Sequence, residues 1–118
     1  MDMGTFIVAG NRSDIPVGEM RAVNLEGTVV LLANIDGKMH AINNKCPHMG
    51  GDLSKGMLSG TVVTCPVHGS QFDVTTGKNI RWMKGSGMLY SLGRILKAPT
   101  DAVKYNVKID GQKVLVEV

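Results

Sequence analysis

Aromatic side chains are scarce in this chain of 118 residues, which holds one Trp, two Tyr and two Phe. Cysteine is rarer still, at two. No apolar run approaches the roughly 20 residues of a membrane-spanning helix. The start, Met1-Asp2-Met3-Gly4, has neither the positive segment nor the apolar stretch of a secretion signal. These absences argue against a membrane protein and for a soluble, cytoplasmic one. What is present is an ordinary globular share of apolar residues, 43%, with 15 glycines and 8 methionines. That composition suits a single domain, 1–118, with a modest core.

The net charge of +3 is unevenly placed. Residues 1–77 hold five basic and seven acidic side chains, and residues 78–118 hold eight basic and three acidic. A solvated basic face is the simplest account of the second part. A partner with an acidic docking surface is the sharper one. The basic residues are spread out and not interleaved with aromatics, so nucleic acid is not expected as a partner.

Short β-type segments alternate with glycine-containing turns. Thr5 to Ala9, Met20 to Leu25, Thr28 to Asn34 and Lys38 to Ile42 read as strands, with turns at Glu26-Gly27 and Asp36-Gly37. Val29-Val30-Leu31-Leu32 reads as part of a strand buried on both faces. Thr61 to Thr64 reads as a strand opened by Gly60. Thr75-Thr76-Gly77 reads as a turn. Tyr105, Val107 and Ile109 alternate with polar residues, and Lys113 to Val118 returns after Asp110-Gly111. Residues 78–100 are expected to form a loop with at most a short helix, suggested by Met88, Leu89, Leu92, Ile95 and Leu96 and weakened by Gly93. The pattern as a whole is all-β, an antiparallel sandwich or barrel.

Both cysteines and two of the three histidines fall in two loops. These are Cys46-Pro47-His48 and Cys65-Pro66-Val67-His68, with sixteen residues between His48 and Cys65. Thiolates and imidazoles are ligands for transition metals and iron–sulfur centres. A Cys46–Cys65 disulfide would leave the two histidines unexplained in a compartment read as reducing. Zinc can take two cysteines and two histidines, but zinc fingers usually keep each kind together, whereas each loop here mixes them. A mononuclear iron or copper site has no specific support. A [2Fe–2S] cluster with two thiolates on one iron and two imidazoles on the other uses all four ligands and accounts for the mixing.

The two loops, together with Gly69, resemble the signature of Rieske iron–sulfur proteins. The likeness extends to Val30 through Ile42, Leu53-Ser54-Lys55-Gly56, Phe72-Asp73 to Gly77, and Tyr105 to Val118. It implies a β-sandwich or barrel of Rieske type with a small inserted cluster-binding subdomain at about residues 44–77. It also implies one [2Fe–2S] cluster per chain, with Cys46 and Cys65 on the inner iron and His48 and His68 on the outer iron. High-potential members carry an extra cysteine in each loop, joined as a disulfide. The matching places are Gly51 or its neighbours and Val67, and there is no third cysteine. Those members also have a membrane anchor. The resemblance is therefore to the soluble, oxygenase-associated ferredoxins.

Around the ligands, Ser70 stands where high-potential members have a serine bonded to a bridging sulfide, and Phe72 where they have a tyrosine. Hydrogen bonds to sulfur raise the potential. The expectation is a potential in the lower part of the Rieske range of roughly −150 to +300 mV, lifted somewhat by Ser70. Met49 and Leu53 are expected to shield the cluster, and Met49 to add to an apolar docking rim. Pro47 and Pro66 are expected to stiffen the loops. His40 is expected to be structural. Arg81, Lys84, Arg94 and Lys97 are read as a solvated face or a docking patch, and Trp82 and Tyr90 as packing that segment onto the sandwich.

With His48 and His68 assigned, only His40 remains, so a mononuclear iron triad of oxygenase type cannot be built. The chain is thus expected to be a monomeric one-electron carrier, not an enzyme, passing electrons from a reductase to an oxygenase or other redox enzyme. The alternatives are a small accessory subunit of a multicomponent reductase, such as nitrite reductase, and a structural zinc module.

Overall fold

The computed structural model describes residues 5–47, 50–67, 69–81 and 100–118. Two hairpins set the frame. β2 (Met20–Leu25) pairs with β3 (Thr28–Ile35), and β3 with β4 (Lys38–Asn43), all antiparallel. Both connections are two-residue turns with positive φ at each central residue, Glu26 53° and Gly27 97°, Asp36 54° and Gly37 91°. That handedness matches the right-handed twist of the strands. An asparagine closes each turn from the strand before it. Gly27 N–H donates to Asn24 Oδ1 at 2.9 Å and Gly37 N–H to Asn34 Oδ1 at 2.8 Å.

β1 (Phe6–Asn11), β9 (Lys104–Asp110) and β10 (Lys113–Glu117) complete a six-stranded sheet in the order β1-β10-β9-β4-β3-β2. Its end strands β1 and β2 approach each other, so the sheet is curled towards a barrel. Inside it lies one apolar cluster containing Leu25, Val30, Leu32, Met39, Ala41, Val114 and Val116.

A second, four-stranded sheet has the order β5-β6-β7-β8, from β5 (Met57–Ser59), β6 (Val62–Thr64), β7 (Gln71–Asp73) and β8 (Asn79–Arg81). Its strands are three residues long. Leu31, Ala33 and Ile42 from the other face of β3 and β4 pack with Val63 and Phe72 from this sheet in a second apolar cluster. β3 and β4 are therefore a wall shared by two cores. The continuous burial from Val30 to Asn34 follows from that position, while Val29 before them is 38% exposed.

The structure corrects the reading of residues 57–81. Gly60 and Thr61 form the β5–β6 turn, so the strand begins at Val62, and Met57–Ser59 is a further strand before it. Gln71–Asp73 and Asn79–Arg81 are strands as well. The loop expected from residue 78 thus starts with a strand. The expected helical spacing from Met88 to Leu96, together with Trp82, Lys84, Tyr90, Arg94 and Lys97, lies outside the described residues. Among the described residues no helix is long and apolar enough to cross a membrane.

Candidate metal centre

Each cysteine begins a loop that leaves one of these strands. The first loop follows β4, and its base is held by Asn44, a buried residue bonded to two other segments, one through Val29 and one through Leu53 and Ser54. Asn44 N–H donates to the Val29 carbonyl at 3.0 Å, and its own carbonyl accepts from Leu53 N–H at 2.8 Å. Its side-chain Oδ1 accepts from Ser54 N–H at 2.9 Å. Leu53 is thereby fixed with no exposure, in the same cluster as both cysteines.

The two loops are built alike. Cys46 N–H donates to the carbonyl of Gly51, five residues on, at 2.7 Å, and the Cys46 carbonyl accepts from Gly50 N–H at 2.8 Å. Cys65 N–H donates to the carbonyl of Ser70, also five residues on, at 2.7 Å, and the Cys65 carbonyl accepts from Gly69 N–H at 3.0 Å. The fourth residue after each cysteine is a glycine with nearly the same positive φ, 75° at Gly50 and 76° at Gly69. A left-handed residue is needed to turn the chain back onto the cysteine, and glycine adopts it without strain.

The loops also face one another. A Cβ built on Gly51 would lie 3.0 Å from Cys65 Sγ and 2.6 Å from Val67 Cγ2. The absence of a side chain at residue 51 lets the first loop approach the sulfur of the second. Cys46 and Cys65 are 1% and 2% exposed, and neither is in a disulfide. They share an apolar cluster with Leu53, Val63, Phe72 and Val74. Ser70 is fully buried beside Phe72. Pro66 and Val67 are exposed on the second loop, and Pro47 is half-buried on the first.

Among the described residues no group of three or more His, Cys, Asp or Glu side chains is placed to hold a metal ion. His48, Met49 and His68 lie outside the described residues. Two buried thiols heading two matched, facing loops fit a group that takes one thiolate from each. In sequence a histidine follows each cysteine, and two thiolates with two imidazoles are a donor set suited to [2Fe–2S].

A model of the Rieske [2Fe-2S] domain matches residues 5–89. The ferredoxin component of the naphthalene 1,2-dioxygenase system of Pseudomonas aeruginosa is 35% identical over 106 residues, covering 88% of this chain and 86% of that protein. The chain belongs to the Rieske [2Fe–2S] family. The ferredoxin of carbazole 1,9a-dioxygenase from Nocardioides aromaticivorans IC177 has the same fold, with a TM-score of 0.78 at 23% identity, covering 96% of this chain and 97% of that one. A chain of the complex of reduced oxygenase and oxidized ferredoxin in carbazole 1,9a-dioxygenase matches with a TM-score of 0.76 at 25% identity, covering 95% and 92%.

This Rieske protein carries a [2Fe–2S] cluster and is a one-electron carrier of the ferredoxin type, not a catalyst in its own right. Its partners are redox proteins. Two residues lie apart from the cluster loops in their reading. His40, on β4, is half-buried and lines an open groove with Lys38, Thr75, Lys104 and Tyr105. Burial lowers its pKa below the usual histidine value, and Lys38 and Lys104 push the same way against a smaller opposing pull from Asp73.

The sequence suggests that Arg81 belongs to a solvated or docking segment. The structure places it half-buried at the end of β8, with Nε and Nη2 donating to the Gly69 carbonyl at 3.1 and 2.9 Å. The turn at Thr75-Thr76-Gly77 is legible in sequence, but the strand after it, Asn79–Arg81, is three residues long and too short to show alternation, so the sequence does not signal that Arg81 lies beside the second loop.

Proposed function

We propose that Cys46 and Cys65 bind the inner iron of the cluster, and His48 and His68 the outer iron. The observation that carries this is the repeat of one hydrogen-bond pattern in both loops, each opening on a buried cysteine. The cluster supplies a one-electron redox couple. The chain's own residues fix its place and exclude water: Leu53 and Phe72 wall the cysteine side with apolar surface, and Pro66 stiffens the second loop. Met49 adds to this shield from the first loop. The Ser70 hydroxyl acts as a donor to the sulfide, raising the potential within the lower Rieske range. Loops and small sheet together make the cluster-binding subdomain at about residues 44–77 of a single domain.

In this reading the protein works as a cytoplasmic monomer. It takes electrons singly from a reductase and passes them to the oxygenase component of a dioxygenase system, the setting of the naphthalene and carbazole relatives. Exposed Lys78, Lys104, Lys108 and Lys113 supply positive charge for acidic partner surfaces. The test is anaerobic rapid mixing of the reduced protein with an oxidised terminal oxygenase of that class. Fast reoxidation that slows as salt rises is expected. Reoxidation no faster than in buffer alone would remove the oxygenase as acceptor.

A further inference from the structure

Gly69, the residue after His68, is held through both of its backbone polar groups. Gly69 N–H donates to the Cys65 carbonyl at 3.0 Å, and the Gly69 carbonyl accepts both Nε and Nη2 of Arg81. Two N–H groups of one planar guanidinium on one oxygen fix direction as well as distance, which a lysine cannot reproduce. Arg81 is itself placed by the sheet, opposite Gln71 in the β7–β8 pairing. Among the described residues no carboxylate comes within ion-pair distance of it; the one ion pair there joins Lys55 and Asp52. Its charge is therefore directed at the second loop instead of being neutralised by an acidic side chain.

We propose that Arg81 is a positioning residue of the electron-transfer centre. It clamps the carbonyl of Gly69, the residue after His68, and places beside the second loop a positive charge that no described carboxylate pairs with, which favours the reduced cluster. This rests on the ligand assignment above. Reduction adds one negative charge to the centre, and a nearby cation stabilises that state more than the oxidised one. The charge is half-exposed, so the effect is moderate and screened by salt.

The experiment compares wild type, Arg81→Met and Arg81→Lys by mediated redox titration at low and high ionic strength. Iron content and visible spectrum are recorded for each. For Arg81→Met the equilibrium constant for reduction is expected to fall about threefold to tenfold at low salt, where tenfold corresponds to 59 mV for one electron. Arg81→Lys keeps the charge but loses the two-point clamp, so its potential is expected to fall between those of wild type and Arg81→Met, and the gap between wild type and Arg81→Met narrows at high salt.

Equal potentials in wild type and Arg81→Met, both with a full cluster, would overturn the proposal. So would an equal fall in Arg81→Lys and Arg81→Met, since the charge would then not be the cause. Wild type that holds no two-iron cluster defeats the ligand assignment instead, and the iron and spectral readings separate that outcome from the other two.

Discussion

Gly51 and Val67 meet across the two cluster loops. A Cβ on Gly51 would fall 3.5 Å from Val67 Cβ, inside the spacing that a disulfide requires. These are the positions at which the resemblance places the extra cysteines of high-potential Rieske proteins. The double substitution Gly51→Cys, Val67→Cys is expected to form a disulfide under oxidising conditions. Closing that loop should stabilise the protein by about 3 kcal/mol, less any strain at Cys65 Sγ. Thiol counting on the denatured, cluster-free protein checks it: two thiols are expected, and four would show that the loops do not meet in this way. Gly51→Val, which adds bulk without a bond, is expected to lower the melting temperature.

Gly56 has a different reason for being glycine. Its φ of −89° is open to any residue, but an added Cβ would lie 1.8 Å from the Thr64 carbonyl oxygen. The clash is with backbone and cannot be relieved by a rotamer. Gly56→Ala is expected to cost about 3 kcal/mol, the upper end of overpacking, and to loosen the strand that leads into Cys65. Gly60 is the control. It lies at φ +59° with nothing within 4 Å of a Cβ, so Gly60→Ala should cost only about 1–2 kcal/mol for the left-handed conformation. Denaturant unfolding of both variants checks the order, and equal losses would contradict it.

His40 gives the stability a pH dependence. Its folded-state pKa is lowered, first by burial and then by Lys38 and Lys104. The unfolded chain, with an ordinary histidine pKa near 6.5, then binds a proton more readily than the folded one. The contribution of His40 to stability is fully present above about pH 6.5 and is lost as pH falls through the lowered folded value. His40→Asn removes it. The difference in stability between wild type and His40→Asn should shift against wild type as pH is lowered below 6.5, with other titrating groups cancelling in the comparison. A difference constant from pH 8 to pH 5 would show that His40 is not perturbed.

Much of this architecture is legible in the sequence because its signals are local. Glu26-Gly27 and Asp36-Gly37 mark the turns, and the unbroken apolar run to Leu32 marks β3 as a wall between two cores. The small sheet is not legible in the same way. Strands of three residues, such as Gln71–Asp73 and Asn79–Arg81, are too short to show alternation, and of these two only the first packs against β3 and β4, through Phe72. The cysteines stand out in sequence by their spacing to His48 and His68. Arg81 does not, because its role depends on a carbonyl twelve residues away that only the fold brings to it.

The ligand set is the centre of the account, and the magnetic resonance of the reduced protein reports it most directly. Dithionite reduction of a sample with two irons per chain should give the signal of one reduced [2Fe–2S] cluster. Pulsed measurements on that signal should show hyperfine coupling to two histidine nitrogens, with one lost in each of His48→Cys and His68→Cys that retains a cluster. A two-iron cluster without nitrogen coupling, or a colourless protein with one zinc per chain, would contradict the assignment of Cys46, His48, Cys65 and His68.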